Sequence, residues 1–160
     1  MIRSALLADA PAVAAIYNHY VANTVVTFEE EPVTDQDMAG RIAEVQAVLP
    51  WLVFERNNRV VGYAYASRWR TRSAYRFAAE STIYLDPAFT GLGIGTKLYD
   101  RLIVELQEKS LHTVMGGIAL PNAGSVTLHE NLGFRKVAHF AQVGWKFNRW
   151  IDVGYWERVL

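Results

Sequence analysis

Ala78-Ala79-Glu80-Ser81-Thr82-Ile83-Tyr84-Leu85 runs into Asp86-Pro87 and then Thr90-Gly91-Leu92-Gly93-Ile94-Gly95-Thr96-Lys97, and the reading of this stretch decides the fold. The first eight residues read as a strand, and Asp86-Pro87 stops it, because proline cannot extend a ladder. After the three glycines a helix follows, with Leu98, Leu102, Ile103 and Leu106 marking its buried face at helical spacing. Glycines this close let successive backbone N–H groups turn toward one point, and the helix N-terminus adds partial positive charge. Such a cradle suits a pyrophosphate, although the same spacing also serves a tight strand-to-helix turn with no ligand.

Two familiar phosphate loops fail on spacing. A Walker loop needs glycine, lysine and then serine or threonine, whereas Gly95-Thr96-Lys97 has the wrong order. A dinucleotide fingerprint would need glycine at Thr96 if it began at Gly91, or at Leu98 if it began at Gly93.

Working outward, Asp9 is a plausible N-cap with Pro11 in the first turn, and Val13, Ile16, Tyr17 and Tyr20 predict a helix over about 9 to 22. Thr34 with Asp37 resembles a capping box opening a second helix that ends before Pro50. Strands at 51 to 55 and 59 to 66 are joined by the polar turn Arg56-Asn57-Asn58, hence an antiparallel hairpin. Downstream come a strand at 113 to 120, a short helix at 125 to 132 closed by Gly133, and strands near 135 to 143 and 152 to 159. This order predicts an α+β fold. Its central sheet is mixed but mostly antiparallel, with about seven strands and helices on both faces.

The chain is a single domain by length, 160 residues with half of them hydrophobic. Sixteen basic residues balance sixteen acidic ones, which argues against a partner bound through phosphate neutralisation, so no nucleic acid is expected. No cysteine is present, which removes disulfides, thiolate catalysis and thiolate-bound metals. The four histidines show no H-x-x-x-H or H-E-x-x-H spacing, so no metal is expected. The N-terminus lacks the apolar core of a signal peptide and no run is long enough to span a bilayer, pointing to a cytoplasmic protein without a membrane partner.

The loop, followed about thirty residues later by Asn122, Ser125, Leu128 and Gly133-Phe134, resembles the GCN5-related N-acetyltransferase superfamily. Gly93-Ile94-Gly95 fits that family's pyrophosphate loop. Thr90 departs from it, standing where a glutamine or arginine is usual, which weakens one side-chain contact and leaves the backbone amides intact. Nearly the whole chain is similar to the phosphinothricin and methionine sulfoximine acetyltransferases. The likeness is carried by Ile16-Tyr17-Asn18-His19-Tyr20, Pro50-Trp51-Leu52-Val53, Tyr75, Ala79 to Tyr84, Leu120-Pro121-Asn122, His129-Glu130, Gly144 to Phe147 and Trp150 to Gly154.

The resemblance implies acetyl-CoA as co-substrate and the amine of a small amino acid as acceptor. Main-chain groups of Ile83, Tyr84 and Leu85 would meet the pantetheine arm and the acetyl carbonyl. Gly91, Gly93, Ile94, Gly95 and Thr96 would take the pyrophosphate, and Asn122 the pantetheine. Glu80 is the general-base candidate, since a carboxylate within the otherwise uncharged run Phe77 to Leu85 is costly unless partnered or functional. The bland alternative is a salt bridge to a nearby arginine. His129 stands where many relatives carry a tyrosine, and would serve as general acid or as a base relay.

Four arginines crowd Ser67 to Arg76. By resemblance Arg72 and Tyr75 hold the substrate's carboxylate or phosphinate; Phe28 is a candidate to line its side chain, although an aromatic there more often belongs to the core. The competing view pairs the loop arginines with Glu29-Glu30-Glu31 across a solvated surface. Relatives are usually homodimers, and Trp145, Phe147 and Trp150 fit either a shared interface or burial within one subunit. Two other functions stay open: acetylation of protein amines, and a non-catalytic acyl-CoA sensor.

Overall fold

A short first strand, β1 (Ile2–Ser4), leads into helix α1 (Ala10–Asn23) and helix α2 (Asp35–Gln46). The computed structural model describes all residues from 1 to 160. Asp9 precedes α1, but its carboxylate turns back to Arg3 and to the Leu6 N–H instead of capping the helix. Thr34 does cap α2, accepting the Asp37 N–H at 3.0 Å while its hydroxyl donates to the Asp37 carboxylate.

The hairpin β2 (Trp51–Arg56) and β3 (Arg59–Arg68) turns at Asn57-Asn58, both with positive φ, which asparagine tolerates. Then come β4 (Ala78–Leu85), α3 (Ile94–Glu108), β5 (Thr113–Leu120), α4 (Ala123–Asn131), β6 (Arg135–Lys146) and β7 (Arg149–Val159). The seven strands form one sheet in the order β1-β2-β3-β4-β5-β7-β6, antiparallel except for β4 and β5. This is the expected α+β architecture.

One face of the sheet packs Trp51, Val53 and Tyr63 against α1 and α2. The other packs Leu52, Ala79 and Val114 against α3, whose Leu98, Leu102, Ile103 and Leu106 are all buried. Each such side chain contributes about 1.5–3 kcal/mol. Helices therefore cover both faces, as the element order predicts.

The last hairpin differs from its expected span. Its strands reach Lys146 and resume at Arg149, because the turn is Phe147-Asn148, two positive-φ residues with no glycine to announce them. A register break between Phe140 and Gly144 also interrupts the alternation on which a strand reading depends.

Candidate active site

Strands β4 and β5 run side by side for only three residue pairs, ending at Glu80 opposite Met115, although both continue for five more residues. Beyond that point the sheet splits. A cavity of about 670 Å³ occupies the split and is lined from both faces of the sheet. Side chains alternate across a strand, so Glu80, Thr82 and Tyr84 line it from the α1–α2 face, and Ser81 and Ile83 from the α3–α4 face. Backbone groups alternate as well. Asp86 N–H donates to Val61 and Trp69 N–H to the Ala78 carbonyl, so even-numbered residues of β4 direct their main chain at β3. Ile83 and Leu85 direct theirs into the split, where the Leu85 carbonyl takes the Tyr20 hydroxyl at 2.6 Å. Tyr84 departs from the expected main-chain role: its backbone belongs to the β3 ladder, and it is the ring that lines the cavity.

Glu80 forms no ion pair. Its carboxylate lies over Gly117, where a Cβ would fall 3.2 Å from Oε1 and 3.1 Å from the Tyr155 ring. Burial pushes the Glu80 carboxyl above the usual carboxylate range, opposed by the positive charge of Arg70 and by the Tyr155 hydroxyl. Arg70 lies 4.1 Å over the Trp69 ring, and Trp69 meets Tyr155 edge-on. All three line the cavity.

His129 sits on the opposite face, 3% exposed, and does not meet Glu80. Its Nδ1 is 2.7 Å from the Ser125 carbonyl and its Nε2 is 2.8 Å from Tyr99 Oη. Gly116 makes room for it: a Cβ there would collide with Nε2 and lie 2.7 Å from Cδ2. Burial lowers the His129 pKa, favouring the neutral ring, and the bond to Ser125 opposes this. The adjacent glycines 116 and 117 thus seat the two candidate acid–base groups on opposite faces of one strand.

The loop fits an anionic ligand. Gly91 and Gly93 have φ of 72° and 74°, and the first helical bond runs from Lys97 N–H to the Gly93 carbonyl at 3.2 Å. The N–H groups of Ile94, Gly95 and Thr96 precede that bond and have no helical partner. Gly95 also lets α3 approach α4, since a Cβ would lie 3.3 Å from Leu128. Gly91, Gly93, Thr96 and Thr90 are exposed, and the Thr90 hydroxyl donates within its own turn to the Pro87 carbonyl. Asn122 caps α4 through its carbonyl oxygen at 3.1 Å from Ser125 N, leaving its amide N–H groups for the cavity it lines.

Arg72 and Tyr75 are exposed beside the short turn Ser73–Tyr75 and do not line the cavity; Arg70 does. Glu29 pairs with Arg41 and no ion pair joins the Glu29-Glu30-Glu31 run to the loop arginines, because Arg41 on α2 lies nearer. Arg70 and Arg76 lie against Trp69 and Phe77 instead. Phe28 lines the cavity with its ring on Gly144, and the buried Lys146 ties its loop down by donating to the Thr27 carbonyl at 2.9 Å. Sequence reasoning missed Arg70, Tyr155, Tyr99 and Ser81. The Gly116-Gly117 pair in mid-strand was a readable signal of close approach.

No three His, Asp or Glu side chains converge as a metal site, and no helix is long and apolar enough to cross a membrane. A split sheet, a glycine loop at a helix N-terminus and a half-buried carboxylate are the features an acyl-transfer site would need. Residues 2–154 match the family described as "Acetyltransferase (GNAT) domain", and the chain belongs to it, as an acetyl-CoA-dependent N-acetyltransferase. It is 40% identical over 157 residues to phosphinothricin N-acetyltransferase of Streptomyces viridochromogenes, covering 98% of this chain and 86% of that one. It is also 40% identical over 160 residues to the L-methionine sulfoximine/L-methionine sulfone acetyltransferase of Salmonella typhimurium, covering 99% and 94%. Among solved structures, a phosphinothricin acetyltransferase of Sinorhizobium meliloti in complex with acetyl-CoA superposes with a TM-score of 0.96. The two share 34% identity, and the match covers 100% of this chain and 88% of that one.

Proposed function

We propose that the whole chain is one acetyltransferase domain whose acceptor is the amine of a small amino acid bearing an anionic or oxidised side chain, of the phosphinothricin or methionine sulfoximine type. The observation that carries this is the split sheet with Glu80 at its apex, Arg70 beside it and Phe28 on the wall. Such a cavity suits a compact anion and leaves little room for a polypeptide. The substrate names borne by the relatives agree with it.

Acetyl-CoA supplies the activated acyl group. The free amides of Ile94, Gly95 and Thr96, with Gly91 and Gly93 shaping the turn, would hold its pyrophosphate, and the Asn122 amide its pantetheine. The main-chain N–H groups of Ile83 and Leu85 open into the split, where they suit the developing negative charge on the acetyl oxygen. An amino acid arrives as an ammonium ion and must lose a proton before its nitrogen can attack. Glu80, with its raised pKa and no salt-bridge partner, is the acceptor. Arg70 anchors the substrate's acid group, and Arg72 and Tyr75, exposed on the same loop outside the cavity wall, are the further candidates for that contact. His129 on the far face supplies the proton that the departing sulfur needs.

The protein acts as a homodimer in this reading. Trp145 and Trp150 are 51% and 60% exposed and meet across the sheet's final hairpin, with the exposed Phe147 at its turn. An exposed aromatic edge of this size favours a covering partner. Use of acetyl-CoA supports a cytoplasmic location.

The test is thiol release from acetyl-CoA against phosphinothricin, methionine sulfoximine, methionine sulfone, ordinary amino acids, a polyamine and an N-terminal peptide. Saturable turnover on the first three is expected. Turnover on the peptide alone, or acetyl-CoA binding with no turnover on anything, would overturn the reading.

A further inference from the structure

His129 is bonded at both ring nitrogens, and the partners dictate where its hydrogens lie. A carbonyl only accepts, so Nδ1, facing the Ser125 oxygen, carries a hydrogen in either charge state. In the neutral ring Nε2 is therefore a bare acceptor, and the Tyr99 hydroxyl donates to it across 2.8 Å. Tyr99 Oη in turn accepts from the Ser81 hydroxyl at 2.9 Å. When the ring gains a proton, Nε2 donates instead. Tyr99 then turns its hydrogen to Ser81, and Ser81 turns its own to the Met115 carbonyl at 3.1 Å. Carbonyl acceptors close the chain at both ends. One proton can enter or leave by reorienting hydroxyl hydrogens, with no heavy atom displaced.

We propose that Tyr99 and Ser81 form a reversible hydrogen-bond relay for His129, with Tyr99 the residue through which the imidazole exchanges its proton with the cavity. Gly116 crowds the Nε2 edge of the ring, and the hydrogen-bond partner of that nitrogen is the Tyr99 hydroxyl. Ser81 stands one residue past the last β4–β5 pair, and Ser81, Tyr99 and His129 all line the cavity, with Nε2 of the ring engaged by the Tyr99 hydroxyl.

No countercharge competes with the relay for control of the ring. From α3 comes only Tyr99, from β5 a glycine, and from the segment after α4 the Phe134 ring. On β4, Ser81 faces it while Glu80 points to the other side of the sheet, and on α4 itself Glu130 is engaged with Trp156 Nε1. The balance is simple. The Tyr99 hydroxyl hydrogen swings from Ser81 to the cavity and moves to the leaving sulfur as the imidazolium passes its Nε2 hydrogen to Tyr99 Oη. An S–H bond forms, the phenol O–H is restored and the ring becomes neutral.

This inference rests on the acetyltransferase reading, and its test separates the two. Ser81→Ala keeps the bond that serves neutral His129 but leaves the charged arrangement without an acceptor for Tyr99. The His129 pKa, followed by NMR titration of the free protein, should fall by about one unit, and the matching limb of the kcat profile should follow it. Ser81→Thr should restore both. Tyr99→Phe keeps its ring against Phe134 and should lower kcat roughly 10- to 100-fold with KM for the amine unchanged. An unmoved titration in Ser81→Ala, or wild-type kcat in Tyr99→Phe, would overturn the relay. The titration needs no turnover, so a wild-type protein that acetylates nothing would refute only the acetyltransferase reading.

Discussion

Alanine at Gly116 would put one methyl group where the His129 imidazole now rests. The added Cβ overlaps Nε2 and lies 2.7 Å from Cδ2, so ring and strand must separate by roughly an ångström to reach ordinary contact. The ring cannot swing away freely, being held at Ser125 and Tyr99 and enclosed by Phe134. Overpacking of this kind costs about 1–3 kcal/mol, and losing the bond to Tyr99 costs about 1 kcal/mol more. Replacing glycine in a strand returns about 0.5–1 kcal/mol of backbone entropy. The net is about 2 kcal/mol, a fall in Tm of about 4–8 °C for a chain this long. An ångström of displacement at an acid–base group also costs on the order of 100-fold in kcat. Thermal melting and thiol release on the same preparation read both effects. If Gly116→Ala melts and turns over as the wild type does, His129 is not held against β5 and its catalytic placement here is wrong. Gly117→Ala is the companion variant. Its Cβ would lie 3.1–3.2 Å from Tyr155 and Glu80, contacts that need only small adjustments, so activity should suffer more than Tm.

Three further outcomes are expected. Glu80→Gln should lower kcat/KM by about 100- to 10,000-fold while acetyl-CoA binding persists. Because burial raises the Glu80 pKa in the folded state, folding favours its protonated form, so stability is full at low pH and declines as pH rises through that pKa. The neutral glutamine should therefore melt slightly higher than wild type at pH 7, and a lower Tm would contradict the assignment. Arg70→Met should raise KM for the amino acid roughly 10- to 100-fold with kcat nearly kept, as expected for one lost charged hydrogen bond, whereas Arg72→Ala and Tyr75→Phe should cost less. Trp150→Lys, placed on the exposed hairpin, should convert the protein to a monomer by size-exclusion chromatography, and an unchanged elution volume would remove this face from the interface.

The sequence by itself determined the elements and their order, because helical spacing, the Thr34 cap and the Asp86-Pro87 stop act over a few residues. It also marked Glu80 and His129, one by its cost in an uncharged strand and the other through a family likeness. It could not show that the two lie on opposite faces of the sheet. That follows from the β4–β5 pairing ending at Glu80, a fact shared between residues thirty-five positions apart. The placement of Arg70 inside the cavity and Arg72 outside was equally hidden, since a loop of four arginines carries no periodicity to say which turns inward. The partners of His129 come from α3, β4 and β5, and only tertiary packing brings Tyr99, Ser81 and Gly116 to one imidazole. Local chemistry wrote the strands and helices; the split between β4 and β5, and hence the site, exists only once the sheet is assembled.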